Sequence, residues 1–158
     1  MTTQSLRGQD ILAGVLGKKI GGIHRWVLDL GGANDEFGHG ISQFEANGNC
    51  LVIRPGPNED FMLVEQGPFN AEQLDPEYWT EVSFANLPGW REPNGAIAQI
   101  DLFTDGLEDV GLVFRFEGGE SVVFALVDSD LVVGENLSMF DEDPNMVRPR
   151  LRETIVNT

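Results

Sequence analysis

The feature that most constrains the fold of this chain is a hairpin pattern that occurs twice in its sequence. Residues 44–53 read FEANGNCLVI, and residues 114–124 read FRFEGGESVVF. In both, a glycine-containing dipeptide, Asn47-Gly48 or Gly118-Gly119, separates an alternating stretch from an apolar, β-branched run. Alternation with a period of two predicts half-buried strands, and glycine supplies the positive φ of a tight turn. Both stretches are therefore predicted to be antiparallel hairpins.

The segments around the two hairpins are also similar. Upstream, IGGIHRW from Ile20 resembles IAQIDLF from Ile97, and downstream DFML at 60–63 resembles DLVV at 130–133. One such unit would leave a sheet face bare, whereas two units packed together would cover it. We therefore expect a mainly β fold, a β-rich α+β chain with duplicated antiparallel meander units and short connecting helices. The alternative is that half-buried hairpins share this pattern without duplication.

The chain is predicted to fold as one domain spanning 1–158. Its parts are a first unit at about 18–66, a linker at 67–93, a second unit at about 94–135 and a C-terminal tail at 136–158. A short helix is predicted to begin at Asp75 as N-cap, followed by Pro76, and one or two helical turns are predicted before Gly17. The tail is predicted to be an acidic loop followed by a basic, partly flexible segment.

Net charge is the main indication of function. The sequence has 26 acidic and 10 basic residues, a formal net charge of −16 and an isoelectric point near 4.2. Direct nucleic-acid binding is therefore not expected. From 92 to 143 there are thirteen Asp and Glu residues and a single cation, Arg115, so a basic partner would be steered there. The alternative is that the acidity serves solubility or reflects the habitat of the source organism.

Motifs for catalysis and cofactors are missing from the sequence. It has no nucleophile elbow, phosphate loop, dinucleotide fingerprint or HExxH motif. Cys50 is the only cysteine and is expected to be a small buried apolar residue, and no apolar run approaches the roughly 18 residues of a membrane span. We therefore expect a cytoplasmic protein without enzymatic activity, cofactor or membrane association.

One loop contains residues that could bind a metal. Asp35, Glu36 and His39 lie close together between glycines in 31–40, and two carboxylates with an imidazole suit a divalent ion. The alternative is a solvated hairpin loop whose glycines serve the backbone, so no metal site is predicted.

The predicted partner-binding residues lie mainly on the second unit. Carboxylates on its rims are expected to steer and pair with a basic partner, and Trp90 or Phe103 to supply the desolvated anchor. Trp79 is instead expected to seal the seam between the units. The predicted carboxylates are Asp105, Glu108, Asp109, Glu117, Glu120, Asp128 and Asp130.

In size, acidity and lack of a catalytic motif, the chain resembles the small immunity proteins that bacteria encode beside secreted toxins. Many of these are acidic because their toxins are basic nucleases. The resemblance covers character and size, and it transfers no functional residues. It implies a non-enzymatic binding protein that neutralises a basic toxin or nuclease by occluding its active site. The alternative is a structural or assembly β-scaffold that self-associates, for example as a homodimer.

Overall fold

The computed structural model describes residues 9–28, 40–46, 48–56, 62–77, 79–83, 95–127, 130–134 and 149–156. Apart from a short α-helix and one turn of 3-10 helix (Ala71–Gln73), the regular structure in these ranges is β-strand, which confirms the mainly β prediction. The elements are α1 (Gln9–Ala13), β1 (Ile20–Leu28), β2 (Gly40–Ala46), β3 (Asn49–Pro55), β4 (Met62–Gln66), β5 (Trp79–Ser83), β6 (Ile97–Thr104), β7 (Asp109–Phe116), β8 (Ser121–Val127), β9 (Asp130–Gly134) and β10 (Arg150–Val156).

The strands form two antiparallel sheets with the same arrangement. The first sheet has the order β4-β3-β2-β1-β5, and the second has the order β10-β6-β7-β8-β9. Each is a four-stranded meander whose fifth strand returns to pair with the first. The two repeated stretches of sequence form the β2–β3 and β7–β8 hairpins, at equivalent places in the two sheets. Descent of the two units from one duplicated sequence remains a prediction.

The two hairpins differ in the length of their turns. Ala46 pairs with Asn49, so the first turn has two residues, and Gly48 adopts a φ of 88°. In the second, the backbone N–H of Phe116 donates to the carbonyl of Glu120, which leaves a three-residue turn with Gly119 at a φ of 93°. Both lengths are common in hairpins, and both need a residue with positive φ. Gly48 and Gly119 therefore each supply the positive φ that their turn requires.

The core lies between the two sheets and is centred on three phenylalanines. Phe44 comes from β2, whereas Phe114 and Phe124 come from β7 and β8. The ring centroids of Phe44 and Phe114 are 5.0 Å apart in an edge-to-face arrangement, and those of Phe114 and Phe124 are 5.7 Å apart. Such pairs add to the apolar area that the sheets bury. The two sheets therefore share one core.

The segment before β1 also ties the sheets together. The N–H of Gly17 donates to the carbonyl of Ile97, and the N–H of Ile97 donates to the carbonyl of Lys18, at 2.8 and 3.0 Å. Just upstream, Leu12 and Val15 are buried in the same core. The predicted helical turn is therefore found in α1 and the turns that follow it to Gly17, whose φ is 78°.

The linker and the tail each contain a strand that the sequence did not indicate. β5 pairs with β1, and β10 pairs with β6. The prediction of a partly flexible tail is thus wrong for Arg150–Val156. Of the seven side chains of β10, only Ile155 packs against the core, so the segment lacks the alternation by which strands are recognised. The strand forms because its backbone pairs with that of β6.

The helix predicted from Asp75 is replaced by a turn. The carboxylate of Asp75 accepts a hydrogen bond from the N–H of Glu77, and its carbonyl accepts one from the N–H of Trp79. The single 3-10 turn begins earlier, with Asn70 as its N-cap. Asp before Pro suits an N-cap, but β5 begins four residues after Asp75 and leaves no room for a helix.

Candidate partner-binding surface

The structure separates the predicted carboxylates into two groups at opposite ends of the second sheet. Asp105 and Glu108 lie in the β6–β7 turn, whereas Glu117 lies in the β7–β8 turn and Glu120 directly follows it. β7 runs between these turns, and its eight residues span roughly 24 Å at about 3.4 Å per residue. These four carboxylates therefore do not form one continuous contact surface.

Three of the predicted residues have undescribed side chains. Asp130 opens β9 opposite Val127, which places its backbone at the same end of the sheet as the β6–β7 turn. Trp90 and Asp128 lie outside the residues that the structure describes. The roles predicted for these three residues remain predictions.

Two of the predicted partner contacts are buried. Asp109 is 1% exposed, and its Oδ1 accepts a hydrogen bond of 2.7 Å from Nε of Arg152 in β10. Phe103 is 8% exposed and lies in β6 opposite Gly111. Neither side chain is placed to contact a partner in this fold, because each is enclosed by the protein itself. The sequence placed both in the acidic second unit but did not indicate their burial.

β10 places arginines at the end of the second sheet that contains the acidic β6–β7 turn. Arg152 pairs with Asp109, and its guanidinium also donates to Glu153 at 3.2 Å. Arg150 is exposed, and its Nη2 lies 3.7 Å from where a Cβ on Gly106 would be. The segment 92–143 is therefore partly neutralised by arginines that follow it in the chain. Antiparallel pairing of β10 with β6 makes this possible.

The single cation of the acidic segment belongs to a buried polar network. Asp101 is 4% exposed, and Nε of Arg115 donates to its Oδ2 at 2.7 Å. Its Oδ1 accepts hydrogen bonds from Gln99 at 2.7 Å and from Thr154 at 2.9 Å. Burial acts to raise the pKa of Asp101, but these hydrogen bonds and the charge of Arg115 outweigh it and hold the pKa below its ordinary value. Asp101 thus ties β10, β6 and β7 together as a carboxylate, which is the wrong state for a general acid near neutral pH.

The β6–β7 turn is held rigidly by its own hydrogen bonds. The hydroxyl of Thr104 donates to the carbonyl of Glu108 at 2.8 Å and accepts from the N–H of Gly106 at 3.0 Å. Oδ1 of Asp105 accepts from the N–H groups of Leu107 and Glu108, each at 2.9 Å. The N–H of Asp105 in turn donates to the carbonyl of Glu108. These hydrogen bonds hold the backbone of Leu107, whose side chain is 54% exposed.

The outer face of the first sheet contributes acidic surface that the sequence analysis did not single out. Seven acidic residues and no Lys or Arg occur between positions 55 and 90. Those with described, exposed side chains are Glu72, Asp75, Glu77 and Glu81. Glu81 lies 2.6 Å from Nδ1 of His24. Counting charges over 55–90 would have indicated this surface, so acidity is not confined to the second unit.

An aromatic cluster covers the same face. The ring centroids of Trp26 and Phe69 are 5.1 Å apart, and Trp79 packs against this cluster from β5. Gln43 holds the covering segment in place, because its side-chain oxygen accepts a hydrogen bond of 2.8 Å from the N–H of Phe69. Trp79 therefore packs on the outside of the first sheet, and the prediction that it seals the seam between the units is wrong.

The thiol of Cys50 is poorly suited to act as a nucleophile, because its surroundings disfavour the thiolate. Burial raises the pKa of the Cys50 thiol, and the nearby charge of Glu45 raises it further. Cys50 lies in β3 and is half-buried, so it is less buried than the sequence led us to expect. Among the residues that the structure describes, no group of three or more His, Cys, Asp or Glu side chains could hold a metal. Asp35, Glu36 and His39 lie outside those residues.

Within the described ranges, no helix has the length and apolarity needed to cross a membrane. Comparison of the chain with protein-family models, curated proteins and solved structures finds no match.

Proposed function

We propose that this chain is a non-enzymatic binding protein that neutralises a basic protein partner, in the manner of an immunity protein that occludes a toxin or nuclease. The observation that carries the proposal is how the charges are distributed. Arg54, Arg115 and Arg152 each form an ion pair with a carboxylate of the protein itself. Exposed carboxylates of both units meanwhile face solvent, in a chain with a formal net charge of −16. The surface is therefore suited to attract a polycation.

Such a charge acts chiefly on the rate of association. Long-range attraction raises the association rate constant of an oppositely charged protein, and salt screens it over about 10 Å at 0.1 M. The contributing groups with described side chains lie in β5, in the segment that precedes it, and at both ends of the second sheet. They are Glu72, Asp75, Glu77, Glu81, Asp105, Glu117 and Glu120. Binding should therefore slow as ionic strength rises, mainly through the association rate.

The proposal is tested by recovering the partner. The purified protein would be immobilised, exposed to a lysate of its own organism at low salt and eluted with a salt gradient. We expect one basic protein, eluting late and in stoichiometric amount. A broad spread of weakly held basic proteins would contradict the proposal, because it would show attraction without a specific interface. An association rate that does not change with salt would contradict the electrostatic mechanism.

Self-association as a structural or assembly module is the second candidate. The observation in its favour is the β10 strand at the edge of the second sheet, where Leu151 and Val156 are exposed large apolar residues. An exposed apolar edge strand can pair with another chain. Sedimentation velocity of the protein alone distinguishes the candidates, since a scaffold should dimerise without a partner and the proposed inhibitor should remain a monomer.

A further inference from the structure

We propose that residues 135–148 dock on the outer face of the second sheet, the face turned away from the shared core, and cover its apolar side chains. These residues lie outside the described ranges. The burial of the face and the described chain on either side of the segment point to this placement. It holds whether or not the chain binds a basic partner.

The apolar side chains on the outer face of the second sheet are buried. Val113 and Val123 are each 1% exposed, and Ala125 is 0% exposed. Their neighbours along the strands, Phe114 and Phe124, point into the shared core, so these three side chains point away from it. All three lie outside the described core cluster and outside the aromatic cluster of the first sheet. Because a sheet face in contact with water would leave them exposed, another segment of the chain has to cover them.

The chain has to pass from one edge of the second sheet to the other between β9 and β10. These strands are four strand spacings apart, about 19 Å at about 4.8 Å each. Fifteen residues, 135–149, connect Gly134 to Arg150 and could span about 50 Å if extended. The inner face is packed against the first sheet, so the outer face is the one open to this connection. Pro149, directly before β10, is already buried, so the connection reaches β10 within the protein.

The equivalent connection in the first sheet crosses the outer face of that sheet. β4 and β5 are likewise at opposite edges, and residues 67–78 connect them. The N–H of Phe69 donates to the side chain of Gln43 in β2, and Phe69 and Leu74 pack on the cluster that contains Trp26 of β1. One unit of the protein therefore already has the arrangement that we propose for the other.

The side chains to be covered occupy equivalent positions in the two sheets. Trp26 and Phe103 are the last residues of the similar stretches IGGIHRW and IAQIDLF, and each is 8% exposed. Val52 and Val123 are the middle residues of LVI in β3 and VVF in β8, and each is 1% exposed. In the first sheet the described crossing segment covers Trp26 and Val52. The equal burial of Phe103 and Val123 indicates an equivalent cover.

The segment 135–148 has a composition that suits this position. Leu137, Met139 and Phe140 lie within four residues of one another and can supply the apolar contacts that Phe69 and Leu74 supply in the first sheet. Residues 141–143 are all acidic and would remain in water, because burying unpaired carboxylates is costly. A partner that approaches this face would therefore meet residues 135–148 and not the strands beneath them.

Cysteine labelling tests whether this segment covers the face. In a chain that carries Cys50→Ala, the substitution Ala125→Cys places a thiol on the outer face, and the matched control Ala46→Cys places one in the shared core, both at positions that are 0% exposed. Both thiols should react slowly with a disulfide reagent. The cover is then weakened by the triple substitution Leu137→Ser, Met139→Ser, Phe140→Ser. This should speed the reaction at position 125 by about tenfold or more and change that at position 46 by less than about twofold.

A matched triple substitution in residues 84–94, which also lie outside the described ranges, controls for a different covering segment. It consists of Phe84→Ser, Leu87→Ser and Trp90→Ser and should leave the reaction at position 125 slow. Exposure of position 125 by this triple, and not by the triple in 135–148, would overturn the proposal. Fast labelling of Ala125→Cys in the otherwise unchanged chain would also overturn it, because the face would then be open.

Photo-crosslinking identifies the covering segment without weakening it. A diazirine amino acid in place of Val123 should crosslink to peptides from 135–148, as mass spectrometry would show. Crosslinks to 84–94 in their place would contradict the proposal. If a serine triple exposes positions 46 and 125 alike, that variant has unfolded, and the crosslinks decide between the two segments.

Discussion

Removing the Phe44 side chain tests whether the two sheets depend on one shared core. Phe44 is 1% exposed, and its ring centroid lies 5.0 Å from that of Phe114 and 6.3 Å from that of Phe124. Both of these partners belong to the other sheet. Phe44→Ala should therefore weaken the packing of one sheet against the other as well as create a cavity.

The expected cost is large compared with the stability of a domain of this size. Truncating a buried Phe to Ala typically costs about 3–5 kcal/mol, out of a total unfolding free energy of about 5–15 kcal/mol. With a urea m-value of about 2 kcal/mol/M, a loss of about 4 kcal/mol lowers the unfolding midpoint by about 2 M. The milder Phe44→Leu should cost about 1–2 kcal/mol and guards against a variant that does not fold.

Urea unfolding followed by two probes would measure this cost. Trp26 and Trp79 of the first sheet supply two of the three tryptophans whose fluorescence is followed, whereas far-ultraviolet circular dichroism reports on the strands of both sheets. Both transitions should move together to the lower midpoint, and Val156→Ala, in an exposed position, should change the unfolding free energy by less than about 0.5 kcal/mol. Separate transitions for the two probes, or a cost below about 1 kcal/mol for Phe44→Ala, would refute the shared core.

Three further outcomes are expected. Because the pKa of Asp101 in the folded protein lies below its ordinary value of about 4, its contribution to stability is present above that value and lost as the pH falls through the folded pKa. The unfolding free energy of Asp101→Asn should therefore depend less on pH below about pH 4 than that of the wild type, and equal slopes would contradict this. Glu45→Gln should lower the pKa of the Cys50 thiol and speed its labelling by a disulfide reagent near about pH 8, and an unchanged rate would show that burial alone sets the reactivity. Gly119→Ala meets no atom within 4 Å and should cost about 1 kcal/mol through its φ of 93° alone, whereas Gly119→Asn should cost less, as chemical denaturation would measure.

Local pattern was sufficient to predict the hairpins of this protein. Strand alternation and a glycine at each turn are properties of neighbouring residues, so the β2–β3 and β7–β8 pairs could be predicted without any tertiary information. The mainly β class followed from the same pattern. A helical turn before Gly17 was also predictable from local sequence, although the helix ends at Ala13 and turns continue the segment to Gly17.

Tertiary structure alone decided which residues became strands at the sheet edges and which charges reached the surface. β5 and β10 exist because β1 and β6 offer them backbone hydrogen bonds across 50 and 45 intervening residues, respectively, and a mostly polar segment such as β10 carries little local sign of this. The pairing of β10 with β6 also places Arg152 within hydrogen-bond distance of Asp109, and Thr154 within hydrogen-bond distance of Asp101. Sequence determines how many carboxylates the chain has, but only the fold determines which are buried with a partner, because burial depends on contacts between distant segments.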